Sequence, residues 1–384
     1  MRFSVLDSWR GLAALMVALS RFPTDGRLFT SPLVVNSYLF VDFFFVLSGF
    51  VIAHAYFGGI VDGSSLRSFA IRRFGRLWPL HAVICGFFVL YEAARTLTSP
   101  GMAGPTPFTG LRAPGTILPE LAFATTLGFG PNGWNHPSWS ISAEFWTYLL
   151  FGALCLSLRP AFAWIAALIA SVALAFVVAS SQSGMDVTFQ FGLGRCIAGF
   201  FVGSLTYLGW LRWKDACRLS PAAFTAAEAF SMVLALSFVW IAGHDSLSFA
   251  APLVFALVVV VFAFEGGALS RWLMARPFQL LGKLSYSIYM TALLVAMILA
   301  RAFMILDSRL GDGGLSRVSE SGPVVSLPAP VLNDAASVSY LLLVVLVSSL
   351  TYRLIEAPGR QFFNGLSMAR RSLGRGPTQV SAGE

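Results

Sequence analysis

Apolar residues run along this chain in long blocks separated by short polar stretches. A helix needs about 20 mostly apolar residues to cross the hydrocarbon of a bilayer. Blocks of that order fall near 5–21, 34–57, 74–94, 139–158, 161–180, 189–209, 222–243, 249–265, 281–304 and 337–356. The pattern predicts an all-α integral membrane protein, a bundle of about ten transmembrane helices. A further apolar stretch, 116–129, is shorter, contains Pro119 and Glu120, and sits in a loop rich in Pro and Gly. It is expected to lie at the interface or re-enter the bilayer rather than span it. The expected organisation is a transmembrane domain over 1–360 and a basic, disordered tail over 361–384.

The first block, with Arg2, Arg10 and an apolar run from Gly11 to Leu19, has the outline of a signal peptide. Arg21, Phe22 and Pro23 follow where the small residues of a cleavage site belong, so it is expected to remain as the first helix.

Composition removes the soluble alternative. Hydrophobic residues make up 57% of the 384 and charged residues only 11%, against about 25% charged in a soluble domain. A net charge of +8 would suggest nucleic acid in a soluble protein. Here the basic residues alternate with the blocks. With ten spans and the N-terminus inside, Arg67, Arg72, Arg73, Arg76, Arg212, Lys214, Arg218, Arg271, Arg276 and the arginines of the tail share one side, as cytoplasmic loops do. Counting 116–129 as a span would put the basic tail outside. The expected location is therefore the cell (inner) membrane, multi-pass, with both termini cytoplasmic and no nucleic-acid partner. Cys85, Cys155, Cys196 and Cys217 form no pairing pattern, and the four histidines have no metal spacing.

Inside a bilayer, ionisable and polar groups must face a partner or a cavity. Arg10 and Arg21 stand at i and i+11, on one helix face about 16 Å apart; two snorkelling anchors would look the same. Arg72, Arg73 and Arg76 cluster at the inner end of the third block, where guanidinium forks suit the phosphates of an acyl donor and also suit a plain positive-inside anchor. In Ser138-Trp139-Ser140-Ile141-Ser142-Ala143-Glu144, Glu144 lies more than a turn into an apolar helix, and Ser138 and Ser142 are i,i+4. That carboxylate could act as a base, orient a base or pair with an arginine. His136 lies just before this segment on the outer side. Ser285, Tyr286, Ser287 and Tyr289 give a hydroxyl-rich stretch able to line a cavity or bond between helices. Arg353 and Glu356, i,i+3 before Pro358, suggest a structural helix end.

Taken in order, these segments resemble the membrane-bound acyltransferase-3 family. The resemblance rests on Leu6-Asp7-Ser8-Trp9-Arg10-Gly11, Phe43-Phe44-Phe45-Val46-Leu47-Ser48-Gly49-Phe50, the Arg72–Pro79 cluster, Trp139–Glu144, Ser285–Tyr289 and Tyr352–Pro358. It implies about ten helices and transfer of an acyl group, commonly acetyl from acetyl-CoA reached from the cytoplasm, to a glycan or lipid-linked sugar hydroxyl on the other side. It implies donor phosphates on Arg72, Arg73 and Arg76, a catalytic set drawn from Arg10, Arg21, Glu144, Ser142 and His136, and substrate contacts from Trp139, Ser285, Tyr286 and Tyr289. The family pattern has a histidine where this chain has Arg21, and often another where it has Ala292. Arginine is no base at neutral pH, so the resemblance implies impaired catalysis here. Three explanations stand: an altered variant of an active enzyme, a member that uses Glu144 or His136 instead, or a non-catalytic transporter or flippase of an acyl group or saccharide.

Overall fold

The computed structural model describes residues 2–98, 106–130, 133–311, 314–319 and 322–373. Helices occupy all ten apolar blocks: α1 (Ser4–Leu19), α2 (Phe40–Tyr56), α3 (Gly63–Thr98), α4 (Ser138–Ser157), α5 (Phe162–Ser180), α6 (Gly192–Trp213), α7 (Pro221–Ala242), α8 (Ala251–Phe262), α9 (Arg276–Leu310) and α10 (Pro330–Thr351). Seven helical stretches are long and apolar enough to cross a membrane; they contain α2, α3, α4, α5, α7, α9 and α10. The other three fall short for visible reasons. α1 has 16 residues, α6 carries Arg195 and Arg212 within its 22 residues, and α8 belongs to a shorter apolar helix, Ser246–Phe262. The chain is an all-α membrane protein.

α3 is longer than its apolar block. Its 36 residues give a rod of about 54 Å, well beyond the roughly 30 Å of hydrocarbon, so the turns bearing Arg67 and Arg72 project past the apolar layer. This end of the bundle is called the basic end below.

Between α3 and α4 the stretch 116–129 forms only short turns, including the helix Ile117–Leu121, and does not span. It is wedged between two long helices. Trp78 of α3 donates its Nε1 hydrogen to the carbonyl of Leu121 at 3.0 Å. Ser142 and Trp146 of α4 both donate to the carbonyl of Phe123, at 2.6 and 2.7 Å. Phe123 itself is buried and left-handed, with φ 56°.

At the end opposite the arginines, a hairpin of β1 (Ser316–Ser319) and β2 (Gly322–Val325) is the small β element among the described residues. Val325 exchanges backbone hydrogen bonds with Pro23 and Asp25 at 3.0 and 3.2 Å. Arg317 pairs with Asp25 at 2.7 Å and holds that carboxyl below its ordinary range. The hairpin is thus fastened to the turn that follows α1.

Two expectations about the C-terminal region are corrected. Of the tail expected to be disordered over 361–384, residues 374–384 lie outside the described residues, and 361–373 continue as helix α11 (Ala357–Leu373). They are ordered by contact: Phe363 packs on the bare backbone of Gly75, and Gly359 on Pro79 of α3. The helix end expected at Arg353, Glu356 and Pro358 is not one, because the chain runs on as helix. A π-helical turn, Tyr352–Glu356, joins α10 to α11, and it turns Glu356 inward while Arg353 stays exposed.

α1 lies along α9 because both lack side chains where they touch. A Cβ on Gly11 would sit 2.5 Å from the backbone of Gly282, and one on Gly282 would sit 2.3 Å from the carbonyl oxygen of Asp7. Gly282→Val should therefore unseat α1, seen as loss of monodisperse protein in detergent. A variant that purifies and melts like the parent would show that α1 does not depend on this contact.

Candidate active site

Seven of the residues singled out from sequence meet at one cavity of ≈130 Å³ within the bundle: Arg10 of α1, Arg73 and Arg76 of α3, Glu144 of α4, and Ser285, Tyr286 and Tyr289 of α9. Its walls are apolar, from Phe44, Phe45, Leu47, Val51 and Ile141. Among the described residues that line it, Glu144 is the single carboxylate.

α4 supplies the site through two stripes of i,i+4 spacing, and the stripes do different work. Ser140, Glu144 and Tyr148 line the cavity. Two positions earlier in register, about 200° round the helix, run Ser138, Ser142 and Trp146. Ser138 donates to Glu120 at 2.6 Å, and Ser142 and Trp146 hold Phe123. Ser142 therefore anchors the wedged segment and does not reach the cavity. Trp139 is also elsewhere: it is buried on the edge of Phe45 beneath the guanidinium of Arg195.

Glu144 is held by two hydroxyls. Ser48 of α2 and Tyr148 one turn on both donate to Oε1, at 2.5 and 2.6 Å. Oε2 accepts no hydrogen bond from the described residues. Arg10 is not its ion-pair partner: Arg10 donates from Nε to Ser285 at 2.8 Å and from Nη2 to the Gly282 carbonyl at 3.3 Å, and it pairs with Asp7 at 3.4 Å. Arg76 pairs with Glu356 at 3.2 Å, and Ser287 donates to the other oxygen of Glu356 at 2.7 Å. Arg73 donates to the Tyr56 hydroxyl at 3.0 Å and lies over the rings of Tyr56 and Tyr148.

Toward the basic end lies a second cavity, of ≈280 Å³, lined by Tyr56, Arg72, Arg73, Arg76, Arg360, Asn364 and Met368. It shares Arg73 and Arg76 with the first. Four guanidiniums and no carboxylate line it among the described residues, which is the charge arrangement of a polyphosphate site. Arg72 is braced by Ser367 at 2.9 Å. Arg360 and Asn364 belong to the region expected to be boundary and tail.

The remaining candidates stand at the opposite end. Arg21 does not line the cavity. Its Nε is buried without a hydrogen-bond partner, and its charge acts on His136 and on Tyr289, the cavity residue nearest that end. His136 lies in the turn before α4; burial first, and Arg21 second, push its imidazole down to about 4. Ala292 is packed rather than poised. It is 1% exposed in a cluster with Ala14, Ala18 and Tyr340, and its carbonyl lies 3.0 Å from the Tyr340 hydroxyl.

Sequence reading missed Tyr148 and Arg360, gave Ser48 no role, and read Glu356 only as part of a helix end. Tyr148 was detectable, as the i+4 neighbour of Glu144 carrying a hydroxyl. Arg360 and Glu356 depend on the π turn, which nothing in the local pattern announces.

Comparison with known proteins shows the family. Residues 3–353 match the acyltransferase domain family. Over 131 residues, 33% of the chain and 62% of the relative, it is 36% identical to the Rhizobium radiobacter protein described as protein 2 in the picA locus. Over 160 residues, 39% of the chain and 38% of the relative, it is 32% identical to the acyltransferase MdmB of Streptomyces mycarofaciens. The chain thus spans less than two thirds of either relative's length. No solved structure matches it.

The packing at position 292 has a direct consequence. Ala292→His would force an imidazole into the α1–α9–α10 seam, and overpacking costs about 1–3 kcal/mol. The variant should melt lower than the parent in detergent and gain no acyl-transfer rate; a faster variant of unchanged melting temperature would show that the seam opens.

Proposed function

The chain belongs to the acyltransferase domain family, and on that premise we propose that it is a membrane O-acyltransferase moving an acyl group, acetyl first among them, from acetyl-CoA to a hydroxyl of a polysaccharide or lipid-linked sugar. The observation that carries this reading is the shared wall: Arg73 and Arg76 belong both to the four-arginine vestibule and to the cavity that holds Glu144. In this reading the basic end is cytoplasmic in the inner membrane, as both termini are. The donor's phosphates rest on Arg72, Arg73, Arg76 and Arg360, and its thioester extends past Arg76 into the cavity. The acceptor enters from the end that carries Arg21 and His136.

The acceptor hydroxyl attacks the thioester carbonyl carbon. With no imidazole at position 21, Glu144, its Oε1 fixed by Ser48 and Tyr148, is left to take the hydroxyl proton on Oε2 as a weak substitute base. Arg10, Arg73 and Arg76 supply positive charge for the oxyanion. The C–O bond forms, the C–S bond breaks, and the departing thiolate takes the proton from Glu144. Ser285 and Tyr289 contact the acceptor. Arg21 cannot serve as the base because its guanidinium stays protonated.

Charge-assisted contacts are worth about 1.5–3 kcal/mol each, so Arg72→Ala or Arg73→Ala should weaken acetyl-CoA binding to the purified protein about tenfold or more. Unchanged affinity in both would reduce the cluster to a membrane anchor.

Turnover of the chain with Arg21 is expected to be low. Arg21→His should raise it by about 10²–10⁴-fold, the usual contribution of a general base, and Glu144→Gln should abolish the restored activity while the protein still folds. If the unaltered chain already turns over at about 10 s⁻¹, an ordinary enzyme rate, no imidazole at position 21 is needed, and Glu144→Gln and His136→Ala in the unaltered chain decide which of the two is the base. If no variant acylates any glycan while the unaltered chain moves cargo across vesicles, the carrier reading replaces the enzyme.

A further inference from the structure

The match to the acyltransferase domain ends at residue 353, yet the vestibule is completed by the chain beyond it. Arg360, Asn364 and Met368 of α11 line that cavity together with Tyr56 and the arginines of α3. They stand at i, i+4 and i+8, one stripe of a helix. α11 runs antiparallel along α3: Gly359 meets Pro79, Phe363 meets Gly75, and Ser367 accepts from Arg72 at 2.9 Å. The stripe therefore has a direction. Arg360 lies nearest the level of Arg76 and the wall shared with the Glu144 cavity. Met368 lies outermost, about 12 Å further along the helix.

The three side chains differ in chemistry. Arg360 repeats the charge of the α3 cluster, and guanidiniums suit phosphates. Asn364 is of another kind. Its backbone carbonyl accepts from Ser367 at 2.8 Å, but its carboxamide has no hydrogen-bond partner among the described residues. A carboxamide presents a donor and an acceptor side by side, so it is matched by a neutral edge that carries both. Adenine has such an edge, and asparagine meets it with two bonds at once. A methionine thioether is a favourable contact for a flat aromatic ring. Resting on the proposed reaction, we propose that α11 makes the vestibule an adenine-nucleotide site: Asn364 reads the base, Met368 packs against it, and Arg360 joins Arg72, Arg73 and Arg76 on the phosphates. The order along the helix fits a nucleotide-bearing acyl donor, with the base outermost, the phosphates at the arginines and the acyl end toward Glu144. α11 then distinguishes such a donor from an acyl group carried on pantetheine without a nucleotide.

The test is calorimetric binding of ADP, GDP and inorganic diphosphate to the purified full chain in neutral detergent, which needs no acyl transfer. The parent should bind ADP about tenfold or more tightly than GDP, the scale of one bidentate base contact. Asn364→Leu should lose that preference while binding inorganic diphosphate as the parent does, and Arg360→Gln should weaken all three probes. A general distortion of α11 would weaken ADP and GDP alike and leave their ratio unchanged. Asn364→Ser, a smaller change, serves if the leucine variant does not fold. No preference for ADP in the parent, or the same preference in the parent and the Asn364 variants, overturns the proposal. Acetyl-CoA is the control for the reading beneath it. If the parent binds acetyl-CoA and Arg72→Ala weakens it while the ADP preference ignores Asn364, this inference alone fails. If the parent binds neither acetyl-CoA nor any of the three probes, the donor reading fails with it.

Discussion

Arg76 and Glu356 meet in the interior at 3.2 Å, and the candidate site is arranged around that pair. Glu356 is 2% exposed, so it and its partner sit where a lone charge is not tolerated; removing one member of such a pair costs about 3–5 kcal/mol. The pair joins α3 to the π turn, and Ser287 brings α9 to the same carboxylate. The Tyr286 hydroxyl adds a second tie by donating to the Leu77 carbonyl of α3. These bonds fix the wall between cavity and vestibule. The π turn that aims Glu356 inward also sets the direction of α11, and α11 brings Arg360 and Asn364 to the vestibule.

The charges around that wall are unevenly satisfied. Arg10 has Asp7 and Arg76 has Glu356. Arg73 has no carboxylate within ion-pair distance among the described residues; it has a tyrosine hydroxyl and two tyrosine faces. A desolvated cation–π contact is worth about 2 kcal/mol, less than the several kcal/mol that burying a charge costs. Arg73 thus stands to gain from an anion, and it lies where both cavities meet. In the proposed reaction a phosphorylated donor would relieve that cost at the point where its thioester turns toward Glu144.

Much of the architecture is legible in the pattern of apolar blocks, because a bilayer imposes a length on every crossing helix. The short stretch 116–129 is recognisable as non-spanning for the same reason. Glu144 and the Arg72–Arg76 cluster stand out because charge inside an apolar run demands a partner. What the pattern does not carry is which face of a helix meets which neighbour. The Ser138–Ser142 spacing in α4 is genuine helix periodicity, but it belongs to the stripe that grips Phe123, while Ser140, Glu144 and Tyr148 share the cavity face. Trp139 falls toward Phe45 and Arg195. Long-range partnerships such as Arg76–Glu356, set by a π turn, leave no local signal, and Pro358 reads as a helix stop where the chain instead continues as helix.

α9 shows how one helix separates packing from chemistry. Toward α1 it presents Gly282, Ala292 and Ala296, and α1 answers with Gly11, Ala14 and Ala18. Small residues let two backbones approach in a setting where lipid competes for every apolar contact. The Tyr340 hydroxyl closes this seam, 2.9 Å from the Ala18 carbonyl and 3.0 Å from that of Ala292. Tyr286 and Tyr289 lie on the other side, in the cavity. Ser285 stands at the border, and Arg10 reaches across the seam to it. The seating of α1 on two glycines therefore determines where the Arg10 guanidinium enters the cavity. A large or polar group at position 292 would act on the site first through the spacing of α1 and α9, before any proton it could carry.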